Sequence, residues 1–192
     1  MIECKSPDIK DPIPQAISQQ IRNQKEDEIP TMFHYAQILL AVSGNEAKYA
    51  IVGTAAKFWG VWKEEGDDFE AAVKARVDQP LNQEYIQKLY EAFPNKQRMG
   101  AVNSLNLPRA ITAQDRVIYA LCRPERLLEL TYGFMLFDAG EKKIARYQQY
   151  FCVKYIIQRI HEQDAEGRRL GGVVWHTHGS GDLGRTGGIV AD

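Results

Sequence analysis

The period of the hydrophobic pattern changes about a third of the way along the chain, and this change most constrains the fold. Residues 2–5, 32–42 and 47–52 are short apolar stretches, and the Ser43-Gly44-Asn45 turn between the last two is typical of a β-hairpin. Stretch 32–42 also fits a helical period. From residue 69 onward the apolar residues recur at helical spacing. The sequence therefore predicts the α/β (α+β) class.

Several further elements are expected along the chain. A first helix should run over 15–26, after three prolines that end the first strand. Thr112 is the expected N-cap of a later helix. The polar segment 94–108 is the expected linker. Four more helices are predicted at 69–77, 83–93, 127–137 (or a pair of turns) and 143–163. The last of these should have Phe151, Tyr155, Ile156 and Ile160 on its buried side. A buried strand is predicted at 171–175.

Composition excludes several classes of protein. The 192 residues are 44% hydrophobic, and a chain of this length can bury roughly 70% of its unfolded surface without a disulfide or metal. A net charge of −1 argues against gripping DNA with the whole surface, although a local basic patch stays possible. Three scattered cysteines suggest a reducing, cytoplasmic setting. With no apolar run near ~20 residues and a charged N-terminus, membrane and secreted classes are not expected.

Glu3 and Lys5 form the first constellation of chemical interest. Alternate residues of a strand point to the same face, so a carboxylate and an ammonium would lie side by side. This pair could hold a divalent cation and activate a water for phosphodiester hydrolysis. By itself the spacing more often marks a surface ion pair. The neighbouring residues add information: they are Ser6-Pro7, the amide-rich stretch Gln20-Ile21-Arg22-Asn23-Gln24, Ile29-Pro30, and Phe33, Tyr35 and Gln37.

This stretch resembles the N-terminal nuclease domain of the restriction (R, motor) subunit of type I restriction–modification enzymes. The resemblance implies a PD-(D/E)xK nuclease in which Glu3 is the Mg²⁺-binding carboxylate and Lys5 the catalytic lysine. Gln20 falls on the glutamine of the family's Gln-x-x-x-Tyr helix motif, which supports the nuclease site and DNA contact, while Gln24 replaces its tyrosine. The family's second metal-binding residue, an aspartate, precedes this strand. We therefore expect a competent divalent site to be absent.

A second constellation begins at Arg146. An Arg-x-x-Gln element at Arg146 and Gln149 precedes a long helix, a buried strand and the Gly179-Ser180-Gly181 loop. This order is similar to the adenine-reading Q motif and phosphate-binding loop of superfamily 2 helicases, and more similar still to the motor domain of the same R subunit. The resemblance implies that Arg146 and Gln149 contact the adenine of ATP, and that Gly179, Ser180 and Gly181 form the turn of the phosphate loop.

The match ends after Gly181. A phosphate loop needs a lysine and then a serine or threonine, whereas the chain has Asp182 and Leu183. A carboxylate against triphosphate costs at least ~1 kcal/mol. We expect ATP binding to be absent, and hypothesise that a frameshift or truncation replaced the family sequence from Asp182 onward.

Together these features predict a fragment of an R subunit in three parts. Residues 1–65 would be an incomplete PD-(D/E)xK nuclease-like sheet with helices, 66–140 a mostly helical connector, and 141–192 the start of a RecA-like motor domain. The full-length family translocates DNA with ATP and cuts it with Mg²⁺, in a complex with specificity and methyltransferase subunits. The fragment is expected to be catalytically incomplete and to bind neither cofactor tightly.

Two alternatives stay open. The chain could be a non-enzymatic module that binds DNA or a protein partner through the amide-rich helix and the aromatic hairpin. It could also be a nuclease in which another chain supplies the missing carboxylate.

Overall fold

A computed structural model of the chain describes residues 1–64, 66, 68–92 and 109–174. These residues form a mixed α/β structure, which confirms the predicted class at that level. None of the helices in these ranges is long and apolar enough to cross a bilayer. The strands are β1 (Ile2–Cys4), β2 (Leu39–Val42), β3 (Ala47–Ala50), β4 (Met135–Asp138) and β5 (Glu141–Ile144). The helices are α1 (Pro12–Asn23), α2 (Pro30–Phe33), α3 (Phe69–Val77), α4 (Gln83–Ala92), α5 (Ala113–Cys122), α6 (Pro124–Gly133) and α7 (Tyr147–His161).

The first sheet has the strand order β1-β2-β3. Strand β1 runs parallel to β2, with Glu3 beside Ala41, and β2 and β3 form the predicted antiparallel hairpin. The helical alternative for residues 32–42 holds only for the short α2 that precedes the hairpin. Helix α1 begins at Pro12, before the expected residue 15, because a proline at the first helical position has a suitable φ and needs no amide hydrogen bond.

The two faces of this sheet are covered by different hydrophobic clusters. Side chains alternate along β2, so Leu39 and Ala41 face α1 while Leu40 and Val42 face the other way. The α1 side also contains Ile13, Ala16, Ile17, Phe33, Ala50 and Trp59. The opposite side contains Ile38, Tyr49, Trp62, Val117, Ala120, Leu121, Leu130 and Tyr150.

This second cluster contains residues from all three predicted segments of the chain. Tyr49 belongs to the first segment, Leu121 to the second and Tyr150 to the third, and all three are buried. The domain boundaries themselves stay a prediction, and the expected linker at 94–108 lies outside the described residues. Thr112 is the N-cap of α5 as predicted, since its Oγ1 accepts a hydrogen bond from the Asp115 backbone N–H.

Helices are present at most of the predicted positions 127–137 and 143–163, as α6 and α7, but the segment between them differs from the prediction. The end of the first predicted helix and the start of the second form the antiparallel β4–β5 hairpin, because Ala139 (φ 50°) and Gly140 (φ 83°) make a left-handed turn. Helix α7 starts only at Tyr147, and its fully buried side chain is Tyr150 rather than Tyr155, which is 54% exposed.

The predicted buried strand at 171–175 is not present over its described part, residues 171–174. Val173 is 91% exposed. These residues are neither buried nor paired with a strand within the described chain, so the apolar pair Val173-Val174 alone does not produce a strand.

Candidate functional site

Glu3 and Lys5 lie side by side at the end of β1. The ladder continues one residue past the strand, because the Lys5 backbone N–H donates to the Val42 carbonyl at 2.9 Å. Both side chains lie on the α1 side of the sheet, and Lys5 Nζ is 2.9 Å from Glu3 Oε1. Each side chain is 22% exposed. The predicted pairing is therefore present, at a site that a ligand can reach from one side.

Helix α1 supplies a third side chain to this pair. Lys5 Nζ donates a hydrogen bond to Gln19 Oε1 at 2.7 Å. The resemblance instead predicts Gln20 as the site residue of this helix. The amide-rich composition of α1 was visible in the sequence, but only the rotation of the helix on the sheet shows which amide faces Lys5.

Gln20 points into the sheet and is 1% exposed. Its Nε2 lies 3.5 Å from the Leu40 carbonyl, and no described residue donates to its Oε1. Gln24, which the resemblance places at the tyrosine position of the helix motif, bridges two elements: its Nε2 donates to the Gln20 carbonyl at 2.9 Å, and its Oε1 accepts from the Gly53 N–H at 2.8 Å. Gln20 and Gln24 thus connect α1 to β2 and to the turn after β3.

The donor atoms around Glu3 do not fit a resident Mg²⁺ by themselves. Mg²⁺ prefers one or two carboxylates together with water and phosphate oxygens. Glu3 is a single carboxylate already paired with an ammonium, and the described residues contain no group of three or more His, Cys, Asp or Glu suited to a metal. Partial burial, and then the Glu3 charge, raise the pKa of the neighbouring Cys4 thiol, so Cys4 is not a ready thiolate ligand.

Arg146 and Gln149 lie together at the start of α7. Arg146 is the N-cap residue, and its backbone N–H donates to Gln149 Oε1 at 2.8 Å. The side-chain oxygen of Gln149 therefore caps the N-terminus of its own helix. The other predicted nucleotide-binding residues, Gly179, Ser180 and Gly181, lie outside the described residues.

A buried polar cluster joins the first 65 residues to α6 and α7. Glu64 and Arg126 form an ion pair, the Trp62 indole N–H donates to Glu64 Oε1 at 2.8 Å, and the Arg126 guanidinium lies 4.6 Å from the centre of the Tyr150 ring. An open pocket of about 450 Å³ lies beside Arg126 and Lys154, but no predicted site residue lines it. Three of its charged side chains, Arg126, Glu129 and Lys154, are already in ion pairs.

Comparison with known proteins identifies the family that the residues of this sheet, including Glu3 and Lys5, resemble. Residues 1–58 match the family described as type I restriction enzyme R protein N terminus. A Methanocaldococcus jannaschii protein named as a type I restriction enzyme MjaIXP endonuclease subunit is 30% identical over 167 residues, which are 82% of this chain and 13% of that protein. Residues 1–58 therefore belong to the family of type I restriction enzyme R subunits, as the resemblance implied.

Two shorter matches agree with this assignment. The HindI type I restriction enzyme endonuclease subunit of Haemophilus influenzae is 38% identical over 71 residues, 34% of this chain and 7% of that protein. A second M. jannaschii protein, named as the MjaVIIP endonuclease subunit, is 36% identical over 76 residues. The chain thus spans about an eighth or less of the relatives it matches. No solved structure matches it.

Proposed function

We propose that this chain provides part of the DNA-cleaving nuclease domain of an R subunit, with Glu3 and Lys5 in the nuclease site. The observation that carries the proposal is the placement of these two side chains. They lie 2.9 Å apart at the end of β1, each 22% exposed, inside the stretch that matches the R protein N terminus. The names of the three relatives, all endonuclease subunits, support the same function.

Lys5 is arranged to stabilise negative charge. Its ammonium has three N–H donors, of which one is used by Glu3 and one by Gln19. The third can donate to a phosphate oxygen of DNA. A divalent ion, when bound, would supply Lewis acidity and an activated water. Its ligands beyond Glu3 would have to come from DNA or from outside the described residues, so we propose that the chain alone binds neither Mg²⁺ nor ATP tightly.

The finer architecture belongs to the same proposal. Residues 1–65 would be part of a PD-(D/E)xK-like sheet, 66–140 the connector, and 141–192 the start of a RecA-like motor domain with Arg146 and Gln149 in its nucleotide-reading element. The order of the two constellations along the chain and a relative that aligns with 82% of it support this arrangement. DNA, and the specificity and methyltransferase subunits of a type I complex, are the partners that it implies.

A plasmid-nicking assay with Mg²⁺ or Mn²⁺ tests the site. Glu46 and Lys48 provide a matched control, because they repeat the Glu-x-Lys spacing at β3 with a looser 3.7 Å contact. The isolated chain should not nick DNA above background. In a complete R subunit that carries this segment, Glu3→Ala and Lys5→Ala should each reduce cleavage at least ~100-fold, while Glu46→Ala and Lys48→Ala leave it unchanged. Unchanged cleavage in both site variants would refute the proposal.

A non-enzymatic module that binds DNA is the second candidate. The observation that favours it is the local pairing of Lys5, whose two hydrogen-bond partners, Glu3 and Gln19, belong to the chain itself. Such a module would bind duplex DNA with strong salt dependence. It would do so equally well after Lys5→Ala, whereas a nuclease site predicts weaker binding and a shallower salt slope in that variant.

A further inference from the structure

The amides of α1 form two rows that face different surroundings. Gln20 and Gln24, spaced i and i+4, are used by β2 and by the turn at Gly53. Gln15 and Gln19 form the neighbouring row, with the same spacing. Gln15 is exposed and its Nε2 donates to the Lys10 carbonyl at 2.6 Å. Gln19 is half-buried beside the Glu3–Lys5 pair.

The chemistry of Lys5 fixes the orientation of the Gln19 amide. An ammonium only donates hydrogen bonds, so the atom 2.7 Å from Lys5 Nζ must be the carbonyl oxygen Oε1. The Gln19 Nε2 group then has two N–H donors on the other branch of the same amide. No residue in the described ranges accepts a hydrogen bond from this group.

We infer that Gln19 holds the Lys5 ammonium beside Glu3 through its carbonyl oxygen and donates its amide N–H to a phosphate oxygen of bound DNA. This inference rests on the proposed function, because it places a DNA phosphate at the Glu3–Lys5 pair. Gln19 is thus a positioning residue for Lys5 and a contact residue for the substrate backbone. Gln20 and Gln24 stabilise the helix against the sheet.

Three substitutions separate the two roles. Gln19→Leu removes both the oxygen that holds Lys5 and the donor for phosphate. Gln19→Glu keeps an oxygen that Lys5 can bind, but replaces the donor with a negative charge that phosphate repels. Gln15→Leu is the matched control, one helical turn away in the same row and without contact to Lys5.

The positioning role is tested by NMR of the lysine ammonium groups in the whole chain. A held ammonium exchanges its protons slowly with water. Wild type, Gln19→Glu and Gln15→Leu should therefore show a sharp Lys5 ammonium signal, assigned by its loss in Lys5→Arg, and Gln19→Leu should broaden it. Thermal unfolding of the four proteins identifies any variant that has lost its fold. A Lys5 signal that stays sharp in Gln19→Leu would overturn the positioning role.

The contact role is tested by fluorescence anisotropy with a labelled duplex at low ionic strength. Gln19→Leu and Gln19→Glu should weaken binding about ten- to a hundredfold, as the loss of a hydrogen bond to a charged group predicts, with Gln15→Leu within about twofold of wild type. An equal loss in Gln15→Leu would overturn the contact role. If wild type binds no duplex, the contact role fails, while the NMR result still decides the positioning role and the cleavage assay in the complete R subunit still decides the proposed function.

Discussion

Glu64 and Arg126 form a buried ion pair with two contacts, although 62 positions separate them in the chain. Arg126 Nη1 lies 2.6 Å from Glu64 Oε1, and Nη2 lies 3.4 Å from Oε2. Their side chains are only 11% and 6% exposed. The pair connects the segment after the first sheet to α6, beside the Tyr150 ring of α7. It therefore fixes the sheet that carries Glu3 relative to the helix that starts at Tyr147.

Arg126→Met should strongly destabilise the chain. It leaves the Glu64 carboxylate buried with only the Trp62 N–H as a partner, and breaking a buried pair in this way costs about 3 kcal/mol. The matched control is Arg116→Met, which breaks an equally close two-contact pair with Glu70 whose side chains are 42% and 55% exposed. That loss should stay below about 1 kcal/mol. Urea unfolding measures both values, and equal losses would contradict the role of burial.

Tyr49→Phe should remove a link between β3 and the start of α7. The Tyr49 hydroxyl donates to the Ala145 carbonyl at 3.0 Å, next to Arg146, and burial raises the pKa of this phenol, so it stays a donor in mildly basic solution. Its loss should cost about 1 kcal/mol of unfolding free energy. Tyr132→Phe, at a tyrosine that is 83% exposed, should change stability by less than about 0.5 kcal/mol. Thermal unfolding measures both changes, and an equal shift in the two variants would show that the Tyr49 hydroxyl contributes nothing.

Asp115 should make stability depend on acid. The hydrogen bonds from Arg109, and then those from Thr112, lower its pKa from 3.8 to about 2. Because the pKa is lower in the folded state, the stabilisation is fully present above about pH 4 and is lost as the pH falls toward 2. The shift corresponds to about 2 kcal/mol at neutral pH.

Asp115→Asn tests this dependence. The variant should unfold more easily at neutral pH and lose much less stability between pH 4 and pH 2 than wild type, as measured by urea unfolding across that range. Asp8, which is exposed and whose contact is with Ser6, gives the control Asp8→Asn, expected to follow the wild-type curve. A pH profile of Asp115→Asn that parallels wild type would assign the acid sensitivity to other groups.

The local elements of this fold could be predicted because their signals are local. The strand before Pro7, the hairpin around Ser43-Gly44-Asn45 and the Thr112 cap each depend on residues a few positions apart. The pair Glu64–Arg126 has no such local signal. Its two residues lie far apart in the sequence, and each could equally well pair with many other residues of opposite charge. The β4–β5 hairpin was not predicted because Met135 to Phe137 continue the apolar pattern of α6. Only the left-handed turn at Ala139-Gly140, between the two strands, distinguishes the hairpin from a longer helix.

For the candidate site, too, the sequence predicts only the local arrangement. Strand alternation alone placed Glu3 beside Lys5. The third member depends on how α1 is rotated on the sheet, and that rotation follows from burying Ile13, Ala16 and Ile17 together with Gln20. Burying Gln20 turns Gln19 toward Lys5. Aligning the family motif by residue type does not show this rotation of the helix.

Leu121→Ala should reveal whether the predicted segments unfold together. Leu121 in α5 is fully buried in the cluster that also contains Leu40 and Tyr49 of the first sheet, so its truncation should cost about 3 kcal/mol. Because the cluster is shared, amide hydrogen exchange should speed up by the same factor in β2, β3 and α5. Leu128→Ala, at a leucine that is 56% exposed on α6, should leave all three unchanged. Faster exchange in α5 with an unchanged sheet would mean that the first 65 residues are stable independently, and would favour a domain boundary near residue 65.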